Sequence, residues 1–130
     1  MNVVSKYFNW LQKDNPKNIV ESYPEIDEQK ETSLPGVFIV GDLTGIPLLK
    51  LAADGGAKIV KQLFSDKKTA IEKEKTSGVY NLVIVGAGPA GISTAIECKK
   101  KGINYIILES NRILNTIENF PKEKPITLKP

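Results

Sequence analysis

The sequence predicts an α/β fold, a short and incomplete parallel sheet with helices on its faces. Three apolar runs of four residues, Val37–Val40, Leu82–Val85 and Tyr105–Leu108, end at glycine, asparagine or acidic positions, as buried strands do. Stretches of helical length follow the first two runs, from about Pro47 to Phe64 and over Pro89–Lys101. Strands alternating with helices in this way build parallel crossovers.

Each element has a local cause. Met1–Ser33 is a polar N-terminal extension with Pro16, Pro24 and an aromatic cluster of Tyr7, Phe8 and Trp10, and residues 6–13 have room for one short helix. In residues 34–64, Val37, Phe38, Ile39 and Val40 read as a strand ended by Gly41-Asp42, and a helix follows from about Pro47. A proline in the first helical turn loses nothing, because its missing N–H would have had no intrahelical partner. Ala52, Ala53, Gly55, Gly56 and Ala57 offer a small-residue face. Each glycine costs about 1 kcal/mol of helix stability relative to alanine, so close packing is expected in return. Leu48, Leu49 and Leu51 are expected in the core by their side chains.

Residues 65–78 form a charged linker with Lys67, Lys68, Glu72, Lys73, Glu74 and Lys75, and can prolong the preceding helix. Residues 79–130 begin with the clearest pattern. Leu82–Val85 reads as a strand covered on both faces, and Pro89–Lys101 as a helix turning Ala90, Ile92, Ala95 and Ile96 inward. Gly102 stands where a left-handed cap belongs, and Lys99, Lys100 and Lys101 lie against the negative end of the helix dipole. Tyr105–Leu108 is the returning strand. Asn111–Pro130 carries Pro121, Pro125 and Pro130 without periodicity. Residues 34–130 are read as one domain.

Composition removes many functions. There is no histidine and one cysteine, Cys98, so His-based triads, His/Cys zinc sites and internal disulfides are excluded. A net charge of +3, with lysines interleaved among glutamates, gives no basis for nucleic acid as a partner. No apolar run is long enough for a membrane span, and Met1–Trp10 lacks the apolar stretch of a signal peptide. A reducing, cytoplasmic setting is expected. Cys98, inside a predicted helix, reads as a small buried hydrophobe.

Gly86-Ala87-Gly88-Pro89-Ala90-Gly91 fits G-x-G-x-x-G. It follows a strand and opens a helix, and Glu109 ends the next strand roughly 20 residues on. That context marks a Rossmann-like, dinucleotide-binding unit. Gly86 permits the turn, Gly88 lets backbone approach a pyrophosphate, and Gly91 lets the helix pack near the strand. The first helical amides, around Pro89 and Ala90, face the phosphates. Glu109 accepts from the adenosine ribose hydroxyls, and its charge would repel a 2′-phosphate, so FAD or NAD is preferred over NADP.

Thr32-Ser33-Leu34-Pro35-Gly36-Val37-Phe38-Ile39-Val40-Gly41-Asp42, together with Ile26-Asp27-Glu28, resembles the second flavin motif of thioredoxin-reductase-like flavoproteins. The resemblance implies that Gly41 and Asp42 approach FAD, with Asp42 accepting from a ribityl hydroxyl. It also implies that the turn containing Leu49 and Lys50 aims backbone amides at the flavin pyrimidine edge. Without the family, a carboxylate after a parallel strand still lies where open α/β sheets bind ligands, although capping is the bland role for Asp42. Asn115-Thr116-Ile117 and Phe120-Pro121 look like the flavin-approaching segment of bacillithiol-disulfide-reductase-like flavoproteins.

The order departs from that family, whose Gly-Asp segment comes after the glycine loop. Val37–Val40 and Leu82–Val85 are nonetheless expected to share one sheet, since 14 linker residues reach up to roughly 45 Å when extended. The alternative is the tail of one flavoprotein unit fused to the head of another. No glycine follows Gly102, so a second nucleotide fingerprint is missing, as is a Cys-x-x-Cys pair. The expectation is the FAD-binding part of a flavin-dependent NAD(P)H oxidoreductase, a fragment that holds FAD weakly alone, with the NAD(P)H site outside this chain. The competing readings are an NAD-binding Rossmann domain, and a non-catalytic partner in which a second copy or complementary chain completes the flavin site.

Overall fold

A computed structural model describes residues 22–65 and 79–123. The aromatic cluster of the N-terminal extension, the helix suggested at 6–13 and nearly all of the charged linker lie outside the described residues. The element order is a 3₁₀ turn at Asp42–Thr44, helix α1 at Leu49–Leu63, strand β1 at Leu82–Val85, helix α2 at Pro89–Lys101, strand β2 at Tyr105–Leu108 and a one-turn helix α3 at Asn115–Glu118.

β1 and β2 pair in parallel, from Leu82 opposite Tyr105 to Val85 opposite Leu108. Parallel neighbours need a crossover, and α2 supplies it. Pro89 occupies its first turn, where no N–H is required, and Gly102 ends it at φ 71°. Gly102 N–H then donates to Lys99 O at 3.2 Å and Ile103 N–H to Cys98 O at 3.0 Å, satisfying the last carbonyls. The result is an incomplete Rossmann-like α/β fold.

The core sits where α1 meets α2 over one face of the sheet. Val60 and Cys98 are fully buried, Ile59 and Ile103 join them, and Phe38, Val40, Leu82 and Tyr105 pack around the cluster. Burying one such aliphatic side chain contributes about 1.5–3 kcal/mol. Cys98 is therefore a core residue, and desolvation by burial pushes its thiol pKa up to about 11, with nearby Glu97 adding to the rise.

Several expectations are corrected. Val37–Val40 is not a strand of the sheet and does not pair with β1: β1 and β2 are its two strands among the described residues. The run instead folds back on the residues before it, through a bridge between Glu31 and Phe38. Thr32 N–H donates to Val37 O at 2.8 Å and Ile39 N–H to Lys30 O at 3.0 Å, while Val37 N–H closes the Pro35-Gly36 turn onto Leu34 O at 3.1 Å. A local hairpin closes a short loop, so it costs less chain entropy than pairing with a distant strand. The side chains of Phe38 and Val40 still reach the core.

β1 is covered on one face only, for Ile84 is buried while Val83 and Val85 are 52% and 83% exposed. The alternation follows from α2 lying on a single side among the described residues. Leu48, Leu51 and Ile96 are exposed as well, whereas Thr94 and Cys98 take inward positions on α2. α1 starts at Leu49 rather than near Pro47, because Leu48 is extended (φ −118°, ψ 120°).

Candidate functional site

Gly86 follows β1 at φ 99°, a conformation that disfavours side chains, and its N–H donates to Leu108 O at 2.8 Å. The chain therefore turns sharply while still anchored to β2. A β-carbon at Gly91 would overlap the Gly86 carbonyl, so the helix can lie this close to the strand end only with glycine there. Gly88 is different. It is extended, and a β-carbon there would meet nothing within 4 Å, leaving open space beside the backbone. The amides of Ala90 and Gly91 precede Ile92 N–H, which donates to Gly88 O at 2.9 Å, so they belong to the first turn that a helix leaves unpaired.

The Ala87 peptide is held from both sides. Its N–H donates to Glu109 Oε2 at 2.6 Å, and its carbonyl accepts from Leu114 N–H at 2.9 Å. Glu109 lies one residue past β2, where the sequence placed it, and its other oxygen accepts from Asn111 N–H at 2.9 Å. The Ala87 amide first, and the Asn111 amide next, hold the Glu109 carboxyl pKa below the usual 4.5. The loop thus already presents an amide to an anionic oxygen. Leu114 had no signal in the sequence, since nothing about a leucine announces its left-handed φ of 56°.

The Gly41-Asp42 turn comes to the same region. Gly41 is buried at φ 83°, and a β-carbon on it would stand 2.9 Å from Ala90 Cβ, so this turn touches the first turn of α2. Asp42 is exposed and opens the 3₁₀ turn, closed by Gly45 N–H to Asp42 O at 3.0 Å. Thr44 Oγ1 donates to Gly41 O at 2.8 Å. Leu49 is half-buried and Lys50 exposed at the start of α1, ahead of Ala52 N–H donating to Leu48 O at 2.8 Å. The structure therefore brings Gly41 against Ala90 and Glu109 against Ala87, although the strand that was to align them is absent from the sheet.

A cavity of about 330 Å³ runs along Val40, Gly41, Thr44, Ile46, Leu51 and Ala52, with Glu28, Lys30 and Lys58 also in its lining. Neither the glycine loop nor Glu109 lines it. Asn115 and Ile117 lie in α3, whose preceding residue Leu114 ties that segment to the loop. Among the described residues no helix is long and apolar enough to cross a membrane, and no cluster of three or more His, Cys, Asp or Glu could hold a metal ion.

Strand, glycine turn, helix and returning strand with an acid at its end define a βαβ unit of the dinucleotide-binding kind. Residues 83–127 match the family described as pyridine nucleotide-disulphide oxidoreductase. The chain is 48% identical over 59 residues to the thioredoxin reductase of Mycoplasma genitalium, covering 41% of this chain and 19% of that protein. It is 41% identical over 39 residues to the bacilliredoxin reductase Bdr of Bacillus subtilis, covering 30% and 12% respectively. The chain thus spans about a fifth or less of the length of these relatives, and no solved structure matches it. It carries a pyridine nucleotide-disulphide oxidoreductase-like module.

Proposed function

We propose that this chain supplies the FAD-binding part of a flavin-dependent pyridine nucleotide oxidoreductase. The contact between Gly41 and Ala90 carries the reading, because it puts the Gly-Asp turn beside the helix that opens from the glycine loop. Gly86, Gly88, Pro89, Ala90 and Gly91 form the loop that holds the pyrophosphate: Gly86, Gly88 and Pro89 shape it, and the Ala90 and Gly91 amides with the positive end of the α2 dipole face the phosphates. Glu109 accepts from the adenosine ribose, and Asp42 from the ribityl chain. Gly41, Leu49 and Lys50 contribute backbone at the flavin end. The residues present suit such a ligand: space is open at Gly88, and the Ala87 amide holds the Glu109 carboxylate beside the loop.

Bound FAD supplies hydride chemistry with NAD(P)H as donor, and this chain's residues bind and orient it. The nicotinamide site lies outside the chain, and a second copy or complementary chain completes the flavin site. The reducing cytoplasm is the proposed setting.

Titrating the chain with FAD, followed by flavin fluorescence, tests the reading. FAD should bind, and Asp42→Ala should weaken it about tenfold to a hundredfold, the loss of one hydrogen bond to a charged group. Unchanged FAD affinity in Asp42→Ala would remove the Gly-Asp turn from the site. NAD binding without FAD binding would replace the flavin reading with that of an NAD-binding domain.

A further inference from the structure

We propose that Thr94 is a positioning residue whose hydroxyl sets the spacing between the Gly-Asp turn and the glycine loop, so that both reach one dinucleotide. This rests on the FAD reading above. Thr94 is 5% exposed and is the buried polar residue among the described ones. Its Oγ1 lies 2.8 Å from Ala90 O, one turn back in α2, and 3.2 Å from Gly56 O, in the middle of α1. A hydroxyl has one proton, which is shared between these two carbonyls.

The first partner is available to any helical threonine bonding back to residue i−4. The second belongs to another helix and is within reach because Gly56 has no side chain. A β-carbon there would overlap Ala90 O and stand 2.8 Å from Thr94 Oγ1. Ala90 in turn meets Gly41. A continuous line of contact therefore runs from Gly56 through Thr94 and Ala90 to the Gly-Asp turn. Around it the interface is apolar, built on Ile59, Val60 and Cys98. Apolar contact is non-directional and tolerates sliding, whereas a hydrogen bond prefers one distance and angle. Thr94 fixes where α1 stands along α2, and with it the position of Asp42 relative to Gly86–Gly91.

ADP and FAD separate this role from plain stability. ADP reaches the glycine loop and Glu109, while FAD also needs the Gly-Asp turn. Thr94→Val keeps the branched shape and removes the hydroxyl, and Thr94→Ser keeps the hydroxyl. In Thr94→Val, hydrogen exchange should quicken severalfold in residues 41–56 of the ligand-free chain and stay near wild type in residues 89–101. FAD affinity should fall about fivefold to tenfold while ADP affinity stays within about twofold, and Thr94→Ser should restore both measurements. Unchanged exchange in residues 41–56 would overturn the proposal, as would an equal loss of FAD and ADP binding that Thr94→Ser fails to rescue. If the wild-type chain binds neither nucleotide, the FAD reading falls, and the exchange comparison by itself decides whether Thr94 holds the two helices in place.

Discussion

Gly55 and Gly56 are neighbours in α1, and replacing each by alanine should change stability in opposite directions. At Gly56 the new β-carbon would overlap the Ala90 carbonyl, which is backbone and cannot rotate away, and would press on Thr94 Oγ1. Forcing a methyl into a filled space costs about 1–3 kcal/mol. Displacing the Thr94 bond to Gly56 O removes about 1 kcal/mol more. The better helix propensity of alanine returns about 1 kcal/mol. Gly56→Ala should therefore lose about 2 kcal/mol, a fall in Tm on the order of 10 °C for a domain of this size. At Gly55 the β-carbon would stand 3.9 Å from Val40 Cβ, an ordinary contact. Gly55→Ala should keep most of the propensity gain, up to about 1 kcal/mol. Urea unfolding of both variants and the wild type, followed by far-UV circular dichroism, measures the pair. Midpoints that move together, in either direction, would refute the close approach of α1 to α2 at Gly56.

Three further outcomes follow from the loop and the core. Because the Glu109 pKa is lowered on folding, its contribution to stability is complete above the ordinary 4.5 and is lost as pH falls through the lower folded value. Wild type and Glu109→Gln should therefore differ most at neutral pH, and their thermal midpoints should converge in acid, as scans from neutral to acidic buffer would show. Leu114→Val puts a β-branched residue at φ 56° and should cost about 1–2 kcal/mol, while Leu114→Asn, which tolerates that conformation, should cost less in the same unfolding assay. Cys98, fully buried with its pKa raised to about 11, should resist a disulfide reagent at pH 8 in the native chain and react promptly in urea.

The segment from Leu82 to Glu109 was legible in the sequence because its determinants are local. Gly86 had to turn, Pro89 could open a helix, Gly102 could end it, and two apolar runs a crossover apart could pair in parallel. Gly55 and Gly56 looked alike in the sequence, yet only Gly56 meets a facing backbone carbonyl. Thr94 carried a faint signal, a polar residue on a helix face otherwise given to Ala95 and Cys98. Leu114 carried none.

What the amino acids determined by themselves is the strand–glycine loop–helix–strand unit with Glu109 at its end, since each choice there is set by backbone freedom, capping or burial within a few residues. Tertiary structure alone decided that Val37–Val40 folds onto Lys30–Thr32 instead of β1, that Val83 and Val85 face outward, and that Gly41 meets Ala90. An apolar run reports that a segment can be a strand, not which partner will take its hydrogen bonds. That choice belongs to the cost of closing the loop between partners and to the shapes that meet when the chain is compact.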